Sequence, residues 1–451
     1  MKKMSIGLGA IAPASSLIVA RIIYAVNWFN AAALFPLIAL EFNKDVSLLG
    51  SMTAAFFIGV GIFQLPAGIF AAKYNPRTSA IFGIATSSAA AVLYGLASEA
   101  SQLIWLRFIV GVGMAFFFSS AITLIAKYGK IGSPGFSIGM MNSAHSMGGI
   151  IGIFGWIVIA QIIGWRSSLI LSGGLGLVTA LLMNIVIPKS EGELTTNDQN
   201  TTNKGNDNAN RQRRQAQFEI THILAVLSNR SLFYLGLMLT GIQAAWAVEL
   251  TFIVVYLASI GLPVNISGVI ASLPLISGIV SAPLIGRFSD RIKDTKKVLL
   301  ACGIGMSIAL AGISINNLLI VILSATFTGI FSGGAFTVVY ATARTLPVVD
   351  ITRTKNRAAS SNTKQKIMGR DNDSKNEEYI GSLYSNFLDP IKVAWVNGLS
   401  LMGVLWMPIA FSFIVMQTGY KLAWILSALV TGLFIIIPIS KLSKLKNRDM
   451  L

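Results

Sequence analysis

The stretch Pro283–Lys297 reads PLIGRFSDRIKDTKK and joins the end of an apolar run to a dense group of charges. Its charged side chains are Arg287, Asp290, Arg291, Lys293, Asp294, Lys296 and Lys297. Long hydrophobic segments lie on both sides of it. Because charged side chains are costly to place in the hydrocarbon core of a bilayer, the sequence predicts a membrane protein in which this stretch is a loop in water.

The composition of the chain is typical of a polytopic membrane protein. Of 451 residues, 54% are hydrophobic and 12% are charged, against about 25% charged residues in a soluble domain. The net charge of +17 could suit a nucleic-acid binder, but such a protein also needs a polar, soluble face. Cys302 is the only cysteine, which excludes a disulfide framework and a cysteine metal cluster.

Twelve segments are apolar enough to cross a bilayer, which takes about 20 residues for a helix. We predict spans at 15–40, 47–71, 77–97, 102–126, 135–160, 168–187, 231–258, 265–286, 297–315, 318–343, 391–416 and 422–440. The first apolar run continues past Arg21 to Leu40. We therefore interpret it as an uncleaved span rather than a signal peptide.

Two polar segments interrupt this pattern. Residues 188–228 are rich in Asn, Thr and Gln and include the basic run Arg211–Arg214, so we predict a disordered cytoplasmic linker. Residues 345–390 are also polar and charged. We predict that they form an insert in water on the same side.

The distribution of Lys and Arg predicts the orientation in the membrane. All but five of the 35 fall at one end of the predicted spans. The exceptions are Lys44, Arg166 and Lys421 in opposite loops, and Arg21 and Arg107 within spans. Because cytoplasmic loops carry the excess of positive charge, both termini are predicted to be cytoplasmic, in a multi-pass protein of the cell (plasma) membrane.

The two parts of the chain repeat each other. A shift of 218 positions places Trp28 on Trp246 and Gly68 on Gly286. Beyond the insert the shift becomes 255, which places Asn142 on Asn397, and Gly164-Trp165-Arg166 on Gly419-Tyr420-Lys421. This pattern predicts two six-helix halves, 1–187 and 229–451, with a binding site between them near the membrane midplane.

Several short motifs, in order along the chain, resemble those of the major facilitator superfamily. They are Gln64–Gly68, Arg107 with Gly111 and Gly113, Gly148 with Gly149 and Gly152, and Gly286-x-x-x-Asp290-Arg291. The resemblance implies an all-α membrane protein of twelve helices in two pseudo-symmetric six-helix bundles. It also implies a monomeric secondary transporter that moves a small solute by alternating access, rather than an enzyme, without a cofactor or metal ion.

One motif differs between the two halves. Where the second copy has Asp290, the first copy has Ala72. The family resemblance implies that this loop signature forms a contact of the cytoplasmic gate. It therefore gives Gly286, Asp290 and Arg291 a gating role. Arg344 at the cytoplasmic end of span ten is one expected partner of Asp290, and the N-terminus of span five is the other, because a helix dipole favours an anion there. We therefore predict an asymmetric inner gate.

Ionisable residues within predicted spans are candidate functional groups. They are Arg21, Arg107 and Glu249, with His145 as a further candidate. Glu249, Arg107 and His145 are predicted to take part in proton coupling, and Glu249 is the leading candidate. The alternatives are that Arg21 and Arg107 extend to the membrane surface or brace a helix, and that His145 is a hydrogen-bonded core residue.

A ring of residues around one cavity is predicted from helical spacing. Arg21, Tyr24, Trp28 and Phe35 lie on one stripe of the first span. Trp246 corresponds to Trp28, and Gln243 and Glu249 lie within one turn of it. We predict that Arg21, Tyr24, Trp28, Gln243 and Trp246 bind the substrate, unless the tryptophans only pack the bundle.

The leading functional hypothesis is a proton-coupled transporter of an organic or inorganic anion, since Arg21 and Arg107 outnumber Glu249 within the spans. The alternatives are a proton-coupled exporter of drugs or organic cations, and a non-transporting sensor of the same fold. The sequence contains no Walker phosphate loop and no nucleophile–base motif. ATP-driven transport and enzymatic activity are therefore disfavoured.

Overall fold

The computed structural model describes residues 2–43, 46–129, 133–188, 220–292, 294–348 and 370–448, and these form helices joined by short turns. The helices are α1 (Lys2–Phe42), α2 (Val46–Lys73), α3 (Pro76–Gly95), α4 (Ala100–Tyr128), α5 (Pro134–Ile150), α6 (Trp156–Ile163), α7 (Trp165–Val186), α8 (Ile220–Leu227), α9 (Arg230–Ser259), α10 (Val264–Ile292), α11 (Thr295–Gly312), α12 (Leu318–Thr345), α13 (Arg370–Thr418) and α14 (Tyr420–Arg448). A π-helical turn, Ile151–Gly155, joins α5 to α6.

Within the described ranges, twelve helical segments are long and apolar enough to cross a membrane. The fifth segment is composite, because α5, the π turn and α6 run on as Pro134–Ile163. The predicted fold class, an all-α membrane protein with twelve spans, is therefore confirmed.

The structure differs from the prediction at the edges of the two polar segments. Helix α8 lies at the end of the predicted disordered linker, and Ala225 and Val226 are buried. The prediction was wrong there because the sequence ITHILAVL is apolar enough to pack against the bundle. Helix α13 begins at Arg370, well before the predicted span at 391. Residues 189–219 and 349–369 lie outside the described residues.

Hydrophobic packing joins the two sets of six spans at one end. We define the basic end of the bundle as the end that carries Lys73, Lys127, Asp290 and Arg344. One large hydrophobic cluster contains buried residues of both sets, and most of its first-set members lie toward this end. A second cluster consists of first-set residues from the other end, such as Trp165. The halves are thus closed against each other at the basic end.

The predicted repeat is visible in two matching turns. Gly164 precedes α7 with φ of 80°, and Gly419 precedes α14 with φ of 84°. Both conformations lie in the left-handed region that glycine adopts without a steric penalty. Since the two positions differ by the predicted shift of 255, the same turn joins the last two spans of each half.

Candidate functional site

A cavity of about 70 Å³ lies between the two halves. Its lining comes from α1, α2, α4, α5, α9, α12 and α13, and consists of Arg21, Tyr24, Trp28, Val60, Phe118, Asn142, His145, Gln243, Trp246, Phe336, Tyr340, Asn397 and Leu401. The structure thus brings together the five residues predicted to bind substrate, and places His145 with them.

Arg21 supplies the only charge in this lining. The side chain is 5% exposed, and its guanidinium carbon lies 4.4 Å from the ring centroid of Tyr24 and 4.9 Å from that of Phe118. Its Nε and Nη1 atoms have no hydrogen-bond partner. Two buried donor nitrogens on a cation are costly to leave unpaired, so the cavity is suited to an anionic acceptor.

Aromatic rings form apolar walls around this charge. Trp28 packs edge-on against Phe56, with ring centroids 4.6 Å apart, and Trp246 packs edge-on against Phe336 at 6.4 Å. The ring centroid of His145 lies 6.0 Å from that of Trp28, and the Nδ1 atom of His145 has no hydrogen-bond partner. The interpretation of His145 as a hydrogen-bonded core residue therefore finds no support at Nδ1.

Polar groups from both halves complete the cavity. The Tyr340 hydroxyl donates to Asn397 Oδ1 at 2.7 Å, and the Asn142 amide donates to Thr337 Oγ1 at 3.0 Å. Gln243 Oε1 accepts from the Ser400 hydroxyl at 2.8 Å. The sequence-based prediction missed Asn142, Asn397 and Tyr340 as cavity residues. The repeat carried a usable signal, because it aligns Asn142 with Asn397.

Glu249 lies outside the cavity lining, contrary to the predicted ring. It is 0% exposed, its Oε1 atom accepts from the Thr328 hydroxyl at 2.6 Å, and its Oε2 atom has no hydrogen-bond partner. At 3.6 residues per turn, Gln243 and Glu249 point about 120° apart. The cavity lies on the side of α9 that carries Gln243. Phe35 also lies outside it, two turns farther along α1, in the cluster confined to the first half.

Arg107 contacts the backbone of α1 rather than the cavity. Its Nη1 donates to the Asn27 carbonyl and its Nη2 to the Trp28 carbonyl, both at 3.1 Å. Its guanidinium carbon lies 4.6 Å from the ring centroid of Phe56, which itself packs on Trp28. Arg107 therefore braces the part of α1 that presents Trp28.

At the basic end, Asp290 contacts the N-terminus of α5, one of its two expected partners. Its Oδ2 atom accepts from the Gly135 N–H at 2.9 Å. The pairing with Arg344 was wrong, because Arg344 instead forms an ion pair with Asp389 at 2.9 Å. Lys392 pairs with the same carboxylate at 3.0 Å. Arg291 is exposed at this end of α10.

The buried ion cluster Arg344–Asp389–Lys392 was missed by the sequence-based prediction. Asp389 is 1% and Lys392 0% exposed. Lys392 Nζ also donates to the carbonyls of Arg344 and Leu346, at the C-terminus of α12. The cluster therefore ties α12 to α13. An acid and a base three residues apart at the start of a predicted span were the available signal.

Two equivalent seams join the halves at the basic end. In one, a Cβ atom added to Gly286 would overlap the backbone of Gly135, and in the other a Cβ atom on Gly68 would meet Pro390 and Ala394. The shift of 218 positions relates Gly68 to Gly286, and the shift of 255 relates Gly135 to Pro390. The first seam carries the Asp290 carboxylate, while the second has the buried Ala72 at the matching position.

The comparisons with known proteins agree with this architecture. Residues 17–347 match the sequence profile of the Major Facilitator Superfamily. The crystal structure of the transporter FucP in its outward conformation has the same fold, with a TM-score of 0.67 at 14% identity, covering 95% of this chain and 98% of that one.

Sequence relatives are membrane transporters and share part of the chain. A probable sulfoacetate transporter of Cupriavidus necator is 28% identical over 63% of this chain and 66% of its own length. A probable L-galactonate transporter of Escherichia coli is 23% identical over 55% of each chain. A 4-hydroxybenzoate transporter of Pseudomonas aeruginosa is 28% identical over 34% of this chain and 35% of its own. With a family match over most of its length and twelve candidate spans, the chain belongs to the Major Facilitator Superfamily.

Proposed function

We propose that the protein is a secondary active transporter that carries a small anion, organic or inorganic, across the plasma membrane by alternating access. It works as a monomer, with its basic end and both termini in the cytoplasm, as the Lys and Arg distribution supports. The observation that carries the proposal is Arg21, buried in the central cavity with two unpaired donors.

The chemistry of Arg21 favours an anion over a cation. A carboxylate, sulfonate or phosphate would pair with the unpaired guanidinium donors through charge-assisted hydrogen bonds. A cationic drug would instead need an acidic partner, and the cavity lining contains no Asp or Glu. Export of organic cations is therefore the less supported alternative.

The relatives support an organic anion in particular. Sulfoacetate, galactonate and 4-hydroxybenzoate, for which three of them are named, each combine a small organic body with an acidic group. The rings of Trp28, Trp246 and Phe336 offer flat apolar contact to such a body, and Gln243, Tyr340 and Asn397 offer hydrogen-bonding groups.

We assign proton coupling to Glu249. An ionised carboxylate is expensive to bury with a single hydrogen bond and no cation beside it, whereas a protonated carboxyl is much less so. Glu249 lies one turn from Trp246 on α9, so a change in its protonation is close enough to act on the cavity wall. Arg107 takes part by holding the backbone of Trp28, and His145 by its position beside Trp28 in the cavity.

Uptake into proteoliposomes tests the proposed function. Purified protein would be reconstituted and offered labelled sulfoacetate, galactonate and 4-hydroxybenzoate, and labelled tetraphenylphosphonium as a cation, with and without an inward proton gradient. We expect accumulation of at least one anion, enhanced by the gradient. Transport of the cation alone would favour the exporter, and no transport of any probe would favour the sensor.

A further inference from the structure

Pro283 leaves a carbonyl of α10 without its usual partner in the seam that faces α5. Proline has no backbone N–H, so the carbonyl four residues earlier loses the hydrogen bond of a regular helix. That carbonyl belongs to Ile279, and it accepts a hydrogen bond from the hydroxyl of Ser143 on α5. The two residues come from opposite halves of the protein.

The helices of the seam are closely packed around this bond. Ser143 is 4% exposed. One turn toward the basic end, a Cβ atom added to Gly139 would overlap the backbone of Ala282 and Pro283. Small residues allow this close helix contact in a membrane protein. The Ile279 carbonyl is thus satisfied, in this closed arrangement, by a side chain of the other half.

Loss of this hydrogen bond on opening of the seam would cost the Ile279 carbonyl more than the Ser143 hydroxyl. Ser143 also lies 3.1 Å from the carbonyl of Gly139 in its own helix, so its hydroxyl keeps an acceptor in either arrangement. Ile279 has no such alternative, because Pro283 cannot donate. An unpaired carbonyl away from water is costly.

We propose that the Ser143–Ile279 bond is a conformational lock that favours the closed basic end until water can reach the Ile279 carbonyl. This proposal rests on the proposed alternating-access function, and adds a second contact to the Asp290–Gly135 pair on the same seam. Opening is then coupled to hydration of the Ile279 carbonyl, which Pro283 leaves without a partner in its own helix.

A double-mutant cycle with a distance readout tests the lock. Spin labels would be attached at the exposed positions Lys127→Cys and Lys297→Cys in a Cys302→Ser background. Double electron–electron resonance would then measure the separation of the two halves at the basic end. We expect Ser143→Ala to raise the ratio of open to closed protein about fivefold, the value of one hydrogen bond. In a Pro283→Ala background the substituted residue regains a backbone N–H that can pair with the Ile279 carbonyl. There the same change at Ser143 should shift the ratio less than about twofold.

Ser137→Ala is the matched control. Ser137 is also 4% exposed and on α5, but its hydroxyl donates to Gly129 within the same half, at 2.8 Å. It should leave the ratio unchanged. The lock is refuted if Ser143→Ala has no effect, if its effect is equal in both backgrounds, or if no variant shows an open population. The distance measurement does not require transport, so failed uptake by the wild type would count against the proposed function alone.

Discussion

The carboxylate of Asp290 accepts a hydrogen bond of 2.9 Å from the backbone N–H of Gly135. Gly135 is the second residue of α5, whose first-turn N–H groups have no partner within the helix. The positive end of the helix dipole adds an electrostatic attraction for the carboxylate. Since Asp290 belongs to α10, this contact joins the two halves of the protein at its basic end.

Asp290→Asn should loosen the basic end. The amide can still accept the hydrogen bond, but the charge that interacts with the α5 dipole is lost, which is worth about 0.3–1 kcal/mol. The Leu401→Cys change would be made in a Cys302→Ser protein, which places a single thiol in the cavity. We expect a thiol reagent added at the basic end, in inside-out vesicles, to label it about two- to fivefold faster. Arg287→Gln, at an exposed position on the same helix, should not change the rate. Equal rates for wild type and Asp290→Asn would exclude the gate contact.

Asp389→Asn should destabilise the fold by about 3 kcal/mol, because it leaves Arg344 and Lys392 near one another in a buried site without their counter-charge. Thermal unfolding in detergent measures this loss. The exposed pair of Lys297 and Asp294, 3.2 Å apart, provides the comparison, since Lys297→Gln should cost less than about 1 kcal/mol. Similar unfolding temperatures for both variants would show that the buried cluster does not stabilise the protein.

Arg21→Gln should reduce anion uptake, measured as kcat/KM, by about 100-fold, which corresponds to the loss of a buried charge-assisted contact of about 3 kcal/mol. Arg21→Lys should retain part of the activity, since it keeps the charge but loses the planar fork of donors. Initial rates at several concentrations in proteoliposomes give both parameters. Uptake by Arg21→Gln at the wild-type rate would remove Arg21 from the substrate site.

Glu249→Gln should abolish accumulation driven by a pH gradient while sparing exchange of labelled for unlabelled substrate. Glutamine keeps the shape and can still accept the hydrogen bond of Thr328, but it cannot bind and release a proton. Gradient-driven uptake and counterflow, measured on the same vesicles, separate the two processes. Glu41→Gln, on the exposed end of α1, is the matched control and should accumulate normally. Unchanged pH dependence in Glu249→Gln would rule the assignment out.

The ion pair between Glu41 and Arg166 predicts a pH-dependent contribution to stability. Hydrogen bonding to Arg166, 2.7 Å away, lowers the pKa of the Glu41 carboxyl below its ordinary value of 4.5. Because the folded-state pKa is the lower one, the pair stabilises the fold above about pH 4.5, and this contribution disappears as the pH falls through the lowered value.

Thermal unfolding of wild type and Glu41→Gln across pH checks this sign. The wild type should be the more stable near pH 7, by less than about 1 kcal/mol because both side chains are partly exposed. The difference should shrink in acid. A difference that grew as the pH fell would contradict the assignment.

Features that depend on hydropathy and on the internal repeat were predictable from the sequence. Hydropathy alone located the twelve spans, and the repeat related Trp28 to Trp246, which the structure places in one cavity. Helical spacing was less reliable for Glu249, because a residue within one turn can still point away from a cavity. The helix α8 was missed since its apolar residues follow a long polar segment.

Sequence reasoning could not decide which of two possible tertiary partners a residue takes. Nothing in the order of residues distinguishes Arg344 as a partner of Asp389 from Arg344 as a partner of Asp290, since both acids lie near the same end of the spans. The choice depends on how α12, α13 and α10 pack. The bond between Ser143 and Ile279 likewise follows from a helix crossing that brings two distant segments together.

The unequal seams at the basic end have a consequence for the response to salt. The α5–α10 seam contains a charge, Asp290, while the α2–α13 seam relies on the fit of Gly68 against Pro390 and Ala394. Dissolved ions screen the first kind of contact and scarcely affect the second. A rise in ionic strength at the basic end would therefore weaken the α5–α10 seam more than the α2–α13 seam, so two halves of common design would respond differently to the same medium.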